Sequence, residues 1–177
     1  MNDAQNEVIV LGGGCFWCLD AAYKLIKGVV EVEEGYSGGD LEDPTDDQIY
    51  ENDTGHAEVV RVTYDPKVIK LEDILEIFWT IHDPTTLNRQ GYDVGPQYRS
   101  VVFYLNEAQK KVIEAEKQKA QKVWDNKIVT EVTKFKNFYP ASEYQKNYET
   151  NRPDYCQIII NPKLKKLREK FAARIVK

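Results

Sequence analysis

A chain of 177 residues that sets 24 Lys and Arg against 29 Asp and Glu, for a net charge of −5, is long enough to bury a sizeable core in one domain. It offers no general attraction for nucleic acid. No apolar run approaches the length of a membrane span, and residues 1–7 lack the basic-then-apolar pattern of a secretory leader. A cytoplasmic protein is therefore expected, without a membrane or nucleic-acid partner. Three cysteines, two of them in the C-x-x-C of Cys15 and Cys18, suit redox or metal chemistry in a reducing compartment better than a structural disulfide framework.

In chain order, residues 1–6 are expected to form a flexible N-terminus, and 7–11 a buried strand. Gly12-Gly13-Gly14 separates that strand from a helix over 15–27. A strand follows over 29–36 and ends at Ser37-Gly38-Gly39. The next stretch reads as a long acidic loop: eleven acidic residues and no Lys or Arg lie between Glu31 and Glu58. Residues 58–64 alternate as a strand with Glu58, Val60, Val62 and Tyr64 on one face, closed by Asp65-Pro66. Ile74, Leu75, Ile77, Phe78 and Ile81 mark the apolar face of a helix that stops before Asp83-Pro84.

Residues 85–97 lack periodicity, and a loop of that length in a compact domain is usually functional. It leads to a strand over 99–105, and Asn106 with Gln109 predicts a capped helix running to about Trp124. Residues 128–133 read as a strand, 142–148 as a short helix and 157–160 as a last strand before Pro162. The tail, 163–177, carries seven basic residues and one acidic one, with Leu164, Leu167, Phe171 and Ile175 at helical spacing. Such a basic C-terminal helix suits a membrane surface or a partner, but packing the stripe on the core is the favoured reading. Strands alternating with helices around an antiparallel-looking middle predict a two-layer α/β sandwich, with 1–177 as a single domain.

Cys15 stands where a strand turns into a helix, beside unpaired backbone N–H groups and the positive end of the helix dipole. It is therefore expected to ionise more readily than a free cysteine and to act as a nucleophile. Cys18 lies one helical turn away, within disulfide reach if the turn permits. Two other readings of the C-x-x-C stay open: zinc held by Cys15, Cys18, Cys156 and a histidine, and Cys18 as a small apolar helix residue. Glu58, on a strand face that should be buried, is a carboxyl whose pKa burial would raise, so it could donate a proton near neutral pH; at the strand's edge solvent would keep it ionised. His56, in Thr54-Gly55-His56, would also suit a Cys/His hydrolase pair, though without a recognisable orienting group. Phe16 and Trp17 could form a small apolar pocket beside Cys15, and Tyr98 stands at a strand mouth where a hydroxyl could face a cleft.

Together these segments resemble the A-type methionine sulfoxide reductases over almost the whole chain. The carriers are Gly-Cys-Phe-Trp at 14–17, Gly35-Tyr36-Ser37-Gly38-Gly39, Thr54-Gly55-His56-Ala57-Glu58, Tyr64-Asp65-Pro66, Phe78-Trp79 with His82-Asp83-Pro84, Gln97-Tyr98-Arg99-Ser100, and Phe138-Tyr139-Pro140-Ala141 with Glu143-Tyr144. The resemblance implies a ferredoxin-like core with a mixed sheet, in a monomeric catalytic domain. It also implies reduction of the S epimer of methionine sulfoxide, free or in proteins, with thioredoxin or another dithiol as external reductant and no cofactor or metal. Residue by residue it makes Cys15 the nucleophile, has Phe16 and Trp17 hold the substrate methyl and Glu58 and Tyr98 bond the sulfoxide oxygen, and places Asp93 near the substrate's polar end. Cys18 and Cys156 are the candidate resolving cysteines. Two positions depart from the family: Asp46 stands where most members have a second oxygen-binding tyrosine, leaving Tyr36 or Tyr50 as candidate replacements or Glu58 and Tyr98 to suffice with a slower step, and Gln145 stands where His is usual. A general dithiol oxidoreductase and a zinc-bound or peroxide-sensing module are the competing classes.

Overall fold

The computed structural model describes residues 5–51 and 53–176; most of the expected flexible N-terminus and the last residue of the expected tail helix lie outside them. Six strands form one mixed sheet: β1 (Glu7–Gly12), β2 (Val29–Ser37), β3 (Ala57–Tyr64), β6 (Val101–Tyr104), β7 (Glu131–Lys134) and β8 (Tyr139–Pro140). They lie in the order β7-β6-β1-β3-β2-β8. The inner four are antiparallel throughout. Linked through α1 (Phe16–Tyr23) and α3 (Leu71–Ile81), they make the split β-α-β arrangement expected of a ferredoxin-like core. β7 runs parallel to β6, and the crossover this demands is α4 (Glu107–Gln121), capped as predicted by Asn106 Oδ1 accepting from the Gln109 N–H at 2.9 Å.

Period-two alternation divides the strands between two faces. Ile9, Leu11, Val60, Val62, Tyr64 and Val102 pack beneath the helices in the main core. Val10, Ala57, Val59, Val101 and Phe103 form a smaller cluster on the opposite face, covered by Phe135 and Phe138. The basic tail packs on the main core: Leu167 and Phe171 are buried, with Leu164 and Ile175 against them. Its helix, α8, spans Asn161–Lys170, shorter than the expected 163–177, and the chain then returns to bridge Ile26 through Ile175.

Several boundaries differ from expectation. α1 begins at Phe16 and ends at Tyr23, with Cys15 as its extended N-cap. The acidic loop holds a helix, α2 (Asp46–Glu51), opened by Thr45 Oγ1 accepting from the Gln48 N–H at 3.2 Å. Residues 85–97 contain a hairpin of β4 (Arg89–Gln90) and β5 (Asp93–Val94), too short for periodicity to reveal. The strand expected at 128–133 shifts to β7. The helix expected at 142–148 divides into α5 (Glu143–Lys146) and α6 (Tyr148–Asn151), followed by α7 (Pro153–Tyr155). The strand expected at 157–160 is instead a π-helical turn, Cys156–Ile160, continuous with α8. The run Ile158-Ile159-Ile160 reads locally as strand, but helical winding buries Ile160 while Ile158 faces water.

Candidate active site

The loop from β1 to α1 leaves little room for side chains. Gly14 has φ +89°, and a Cβ there would lie 2.6 Å from Gln90 Cγ, so a substituted residue would be strained both by its backbone and by its neighbour. A Cβ on Gly12 would meet Val101 Cγ1 at 2.8 Å. Behind this loop His82 is buried, accepting from Ser100 Oγ at Nε2 (2.8 Å) and donating from Nδ1 to the Phe78 carbonyl. Ser100 Oγ in turn meets Thr130 Oγ1 at 2.7 Å, which accepts from Trp79 Nε1 at 3.0 Å. Burial holds His82 neutral, its pKa lowered to about 4.

Beyond the loop, Cys15, Trp17, Tyr50, Glu58, Asp93, Tyr98, Arg152 and Tyr155 line one cavity of about 250 Å³. Six distinct segments supply them, so the site exists only when the sheet, α1, α2, the β4–β5 hairpin and the C-terminal helices are assembled. Glu58 is buried on β3, where alternation turns it toward the helix layer, and its Oε1 accepts from the Phe16 N–H at 3.3 Å. Its Oε2 has no hydrogen-bond partner among the described residues. Burial, with lesser help from the negative charges of Asp93 and Asp46, pushes the Glu58 carboxyl up to about 8. The buried-face alternative for Glu58, and not the solvated edge, is therefore the one realised.

Cys15 departs from its expected acidity. The thiol is buried, and that burial, together with the nearby Glu58 and Cys18, pushes it well above the usual thiol range; the hydrogen bond offered by the Trp17 backbone only partly opposes this. Being at a helix start lowers a thiol's pKa where water or positive charge is close, and here desolvation outweighs it. Phe16 also differs from expectation: it is wholly buried, packs on Tyr36 with ring centres 5.6 Å apart, and does not line the cavity. The apolar wall is instead Trp17 with Tyr155, whose rings meet edge-to-face at 5.2 Å, while Tyr148 stacks on Trp17 from behind at 5.6 Å. The Tyr155 hydroxyl donates to Asp93 Oδ2 at 3.2 Å.

The two departures from the family pattern have structural counterparts. Asp46 accepts from the Tyr36 hydroxyl at 2.6 Å and from Ser142 Oγ, clipping α2 to β2 and to the start of α5. Tyr36 is thereby engaged away from the cavity, whereas Tyr50, one turn along α2, faces into it. Gln145 donates from Nε2 to the Tyr50 oxygen at 3.1 Å, which leaves the Tyr50 O–H free to donate elsewhere.

The remaining candidates fall outside the cavity. His56 accepts from the Gly39 N–H at Nδ1 (3.0 Å) and donates from Nε2 to the Leu41 carbonyl (2.7 Å), so it braces the loop after β2 and pairs with no cysteine. Cys18 is buried one turn into α1, facing the Lys163 ammonium and the Tyr155 hydroxyl, which partly offset the upward push of burial on its thiol. Cys156 is half-buried in the π-helical turn, with Glu149 and Asp154 as its charged neighbours. All three thiols are free, and among the described residues no His, Cys, Asp and Glu group is placed to hold a metal ion. Tyr155 and Arg152 escape sequence reasoning: neither belongs to a periodic element, and both reach the site from more than 130 residues after Cys15.

A buried thiol at a helix start, sharing a small cavity with a protonated carboxyl and phenol hydroxyls, defines a thiol-based oxidoreductase fold and site. The family model described as peptide methionine sulfoxide reductase matches residues 7–175, and the chain belongs to that family. It is 48% identical over 171 residues to peptide methionine sulfoxide reductase MsrA of Saccharolobus solfataricus, covering 96% of this chain and 97% of the relative. Among solved structures it resembles reduced Mxr1 of Saccharomyces cerevisiae, with a TM-score of 0.80 and 38% identity over 86% of this chain and 88% of the other. The same yeast protein in complex with Trx2 matches with a TM-score of 0.60 and 32% identity, over 81% of this chain and 86% of that one.

Proposed function

We propose that this chain reduces methionine sulfoxide to methionine, acting on the S epimer both free and within proteins, with Cys15 as nucleophile and Glu58 as proton donor. The observation that carries the reading is the buried Glu58 carboxyl, which lines the same cavity as Cys15 and whose Oε2 has no hydrogen-bond partner among the described residues. A sulfoxide sulfur is weakly electrophilic until its oxygen is protonated. A carboxyl still protonated at neutral pH beside a thiol supplies that proton without exposing the site to water. The hydroxyls of Tyr98 and Tyr50 are held protonated chiefly by burial, and both serve as further donors to the oxygen. Trp17 and Tyr155 cover the methyl group, and Asp93 lies at the polar end of the substrate.

As the sulfoxide oxygen takes up the Glu58 proton, Cys15 gives up its own and forms a bond to the substrate sulfur. The oxygen then passes to Cys15 as a sulfenic acid and methionine leaves as the thioether, two electrons having moved from the thiol to the substrate. The thiol proton returns to Glu58, so the carboxyl ends as it began. The apo thiol's raised pKa fits this order, because occupation of the cavity by an oxygen that shares the Glu58 proton favours ionisation at Cys15 over ionisation at Glu58.

Cys18 is the resolving thiol in this reading. It stands one turn from Cys15, and each thiol feels the other's charge or the same Tyr155 hydroxyl, whereas the charged neighbours of Cys156 lie on its own segment. Attack of Cys18 on the Cys15 sulfenic acid releases water and forms a disulfide, which thioredoxin reduces by exchange; the Trx2 complex of the yeast relative supports that class of reductant. The chain works in this scheme as a cytoplasmic monomer without a cofactor. The test is peptide mapping by mass spectrometry after one turnover with each epimer and no reductant. A Cys15–Cys18 disulfide formed only with the S epimer is expected, and an unoxidised, folded protein would refute the function.

A further inference from the structure

The first lysine of the basic tail is set apart from the others. Lys165, Lys166, Arg168 and Lys170 are exposed on α8, whereas Lys163 is half-buried. It stands one turn before the buried Leu167 and two before Phe171, so helical spacing puts it on the stripe that packs against the core. α8 packs on α1 there, and the Lys163 stem carries its ammonium to the Cys18 sulfur, to which it donates a hydrogen bond. The Tyr155 hydroxyl reaches the same sulfur and that of Cys15. The other charged or titratable groups facing Cys18 are Asp93 of the β4–β5 hairpin and Cys15 itself, and the buried, neutral His82 also feels the Lys163 charge. None of the ion pairs among the described residues uses Lys163.

We propose that Lys163 activates Cys18 for the resolving step, holding the Cys18 thiolate while it attacks the Cys15 sulfenic acid. The inference rests on the proposed reading of Cys18 as the resolving thiol and supplies a group that reading lacks. The thiolate is the attacking species, yet Cys18 is 4% exposed and burial disfavours its charged form. With water largely excluded, a cation in contact with the sulfur is what stabilises the negative charge. In the step, the Cys18 sulfur bonds to the Cys15 sulfur and the Cys15 S–O bond breaks. The departing hydroxide takes up the proton that Cys18 released and leaves as water. The oxidising equivalent is the one the sulfenic acid already holds, and the ammonium stays charged throughout. The charged neighbours of Cys156 are instead the acidic Glu149 and Asp154.

The experiment is a single turnover of methionine S-sulfoxide without reductant, quenched at timed intervals from about pH 6 to about pH 10. Mass spectrometry follows methionine release and Cys15–Cys18 disulfide formation separately, in wild type, Lys163→Met, Lys163→Gln and Lys163→Arg. An adjacent opposite charge lowers a pKa by about 1 to 3, and every tenfold gain in thiolate loses about threefold in nucleophilicity. Both neutral variants are therefore expected to form the disulfide about 3- to 40-fold more slowly at pH 7, with a pH midpoint about 1 to 3 higher. The slowing falls on the disulfide and not on methionine release. Lys163→Arg, which keeps the charge, should restore rate and midpoint. Either neutral variant, whichever folds, overturns the assignment if its disulfide rate is unchanged. Equal slowing in the neutral and arginine variants at the wild-type midpoint also overturns it, being the mark of lost packing. If wild type releases methionine but forms no Cys15–Cys18 disulfide, the resolving role of Cys18 falls and that of Lys163 with it, while the reductase reading stands. A folded wild type that releases no methionine refutes the reductase reading itself.

Discussion

Replacing Glu58 with glutamine should move stability and turnover in opposite directions. Burial raises the Glu58 pKa from 4.5 to about 8, so the folded chain holds this proton more tightly than the unfolded chain does. The stabilisation is complete below pH 4.5 and is lost as pH rises through about 8, because folding must then either keep the proton or bury a charge. At about 1.4 kcal/mol per pKa unit, the loss between pH 5 and pH 9 is roughly 4 kcal/mol. Glutamine is nearly isosteric, keeps an oxygen to accept from the Phe16 N–H, and does not titrate. The unfolding free energy of Glu58→Gln, measured with urea at pH 5, 7 and 9, should therefore gain on wild type by that roughly 4 kcal/mol across the range. Glu34, buried with both oxygens unpartnered among the described residues and pushed up to about 9, titrates in both proteins and cancels from the difference. Turnover of methionine S-sulfoxide at pH 7 should meanwhile fall by about 10²- to 10⁴-fold, the range expected for a missing general acid. Parallel stability curves for variant and wild type would show that the carboxyl is ionised in the fold, and turnover within threefold of wild type would refute its role as proton donor.

Cys18→Ser should retain one full reduction per molecule, accumulate sulfenic acid on Cys15 and lose thioredoxin-linked recycling, while Cys156→Ser recycles normally; intact-mass measurement after a single turnover distinguishes them. Lowering the pH should destabilise the wild type through His82, whose folded pKa of about 4 lies below the ordinary 6.5. The stabilisation of the neutral ring is complete above pH 6.5 and is lost as pH falls toward 4, by about 3 kcal/mol in all, and His82→Gln should flatten that part of the urea-unfolding profile. Asp46→Ala should cost about 1–3 kcal/mol, read as a shift in the urea midpoint, because the buried Tyr36 hydroxyl loses its acceptor.

Much of the layout is legible in the chain itself. The alternation of Glu58, Val60, Val62 and Tyr64 predicts a strand with one buried face, and the structure places all four there. The stripe Leu164, Leu167, Phe171 and Ile175 predicts a helix packed on the core, and Asn106 with Gln109 predicts the start of another. These patterns depend on residues a few positions apart, whose spacing alone decides which side chains share a face. Where local signals conflict, tertiary context decides: Ile158-Ile159-Ile160 has the composition of a strand yet winds helically, because α8 continues the chain and buries Ile160.

The site divides along the same line. The sequence by itself determined that Cys15 follows a glycine turn at a helix start, that Cys18 is one turn further on, and that Glu58 lies on an apolar strand face. Only the tertiary structure decided that Phe16 turns away under Tyr36, that Tyr50 takes a place at the cavity which Tyr36 does not, and that Tyr155 arrives from the far end of the chain to meet Trp17 and Asp93. It also reversed the expected acidity of Cys15. A helix terminus is a local feature that can be read from spacing, whereas desolvation is the sum over every atom that folding brings around a group, and those atoms come from segments that no spacing along the chain connects.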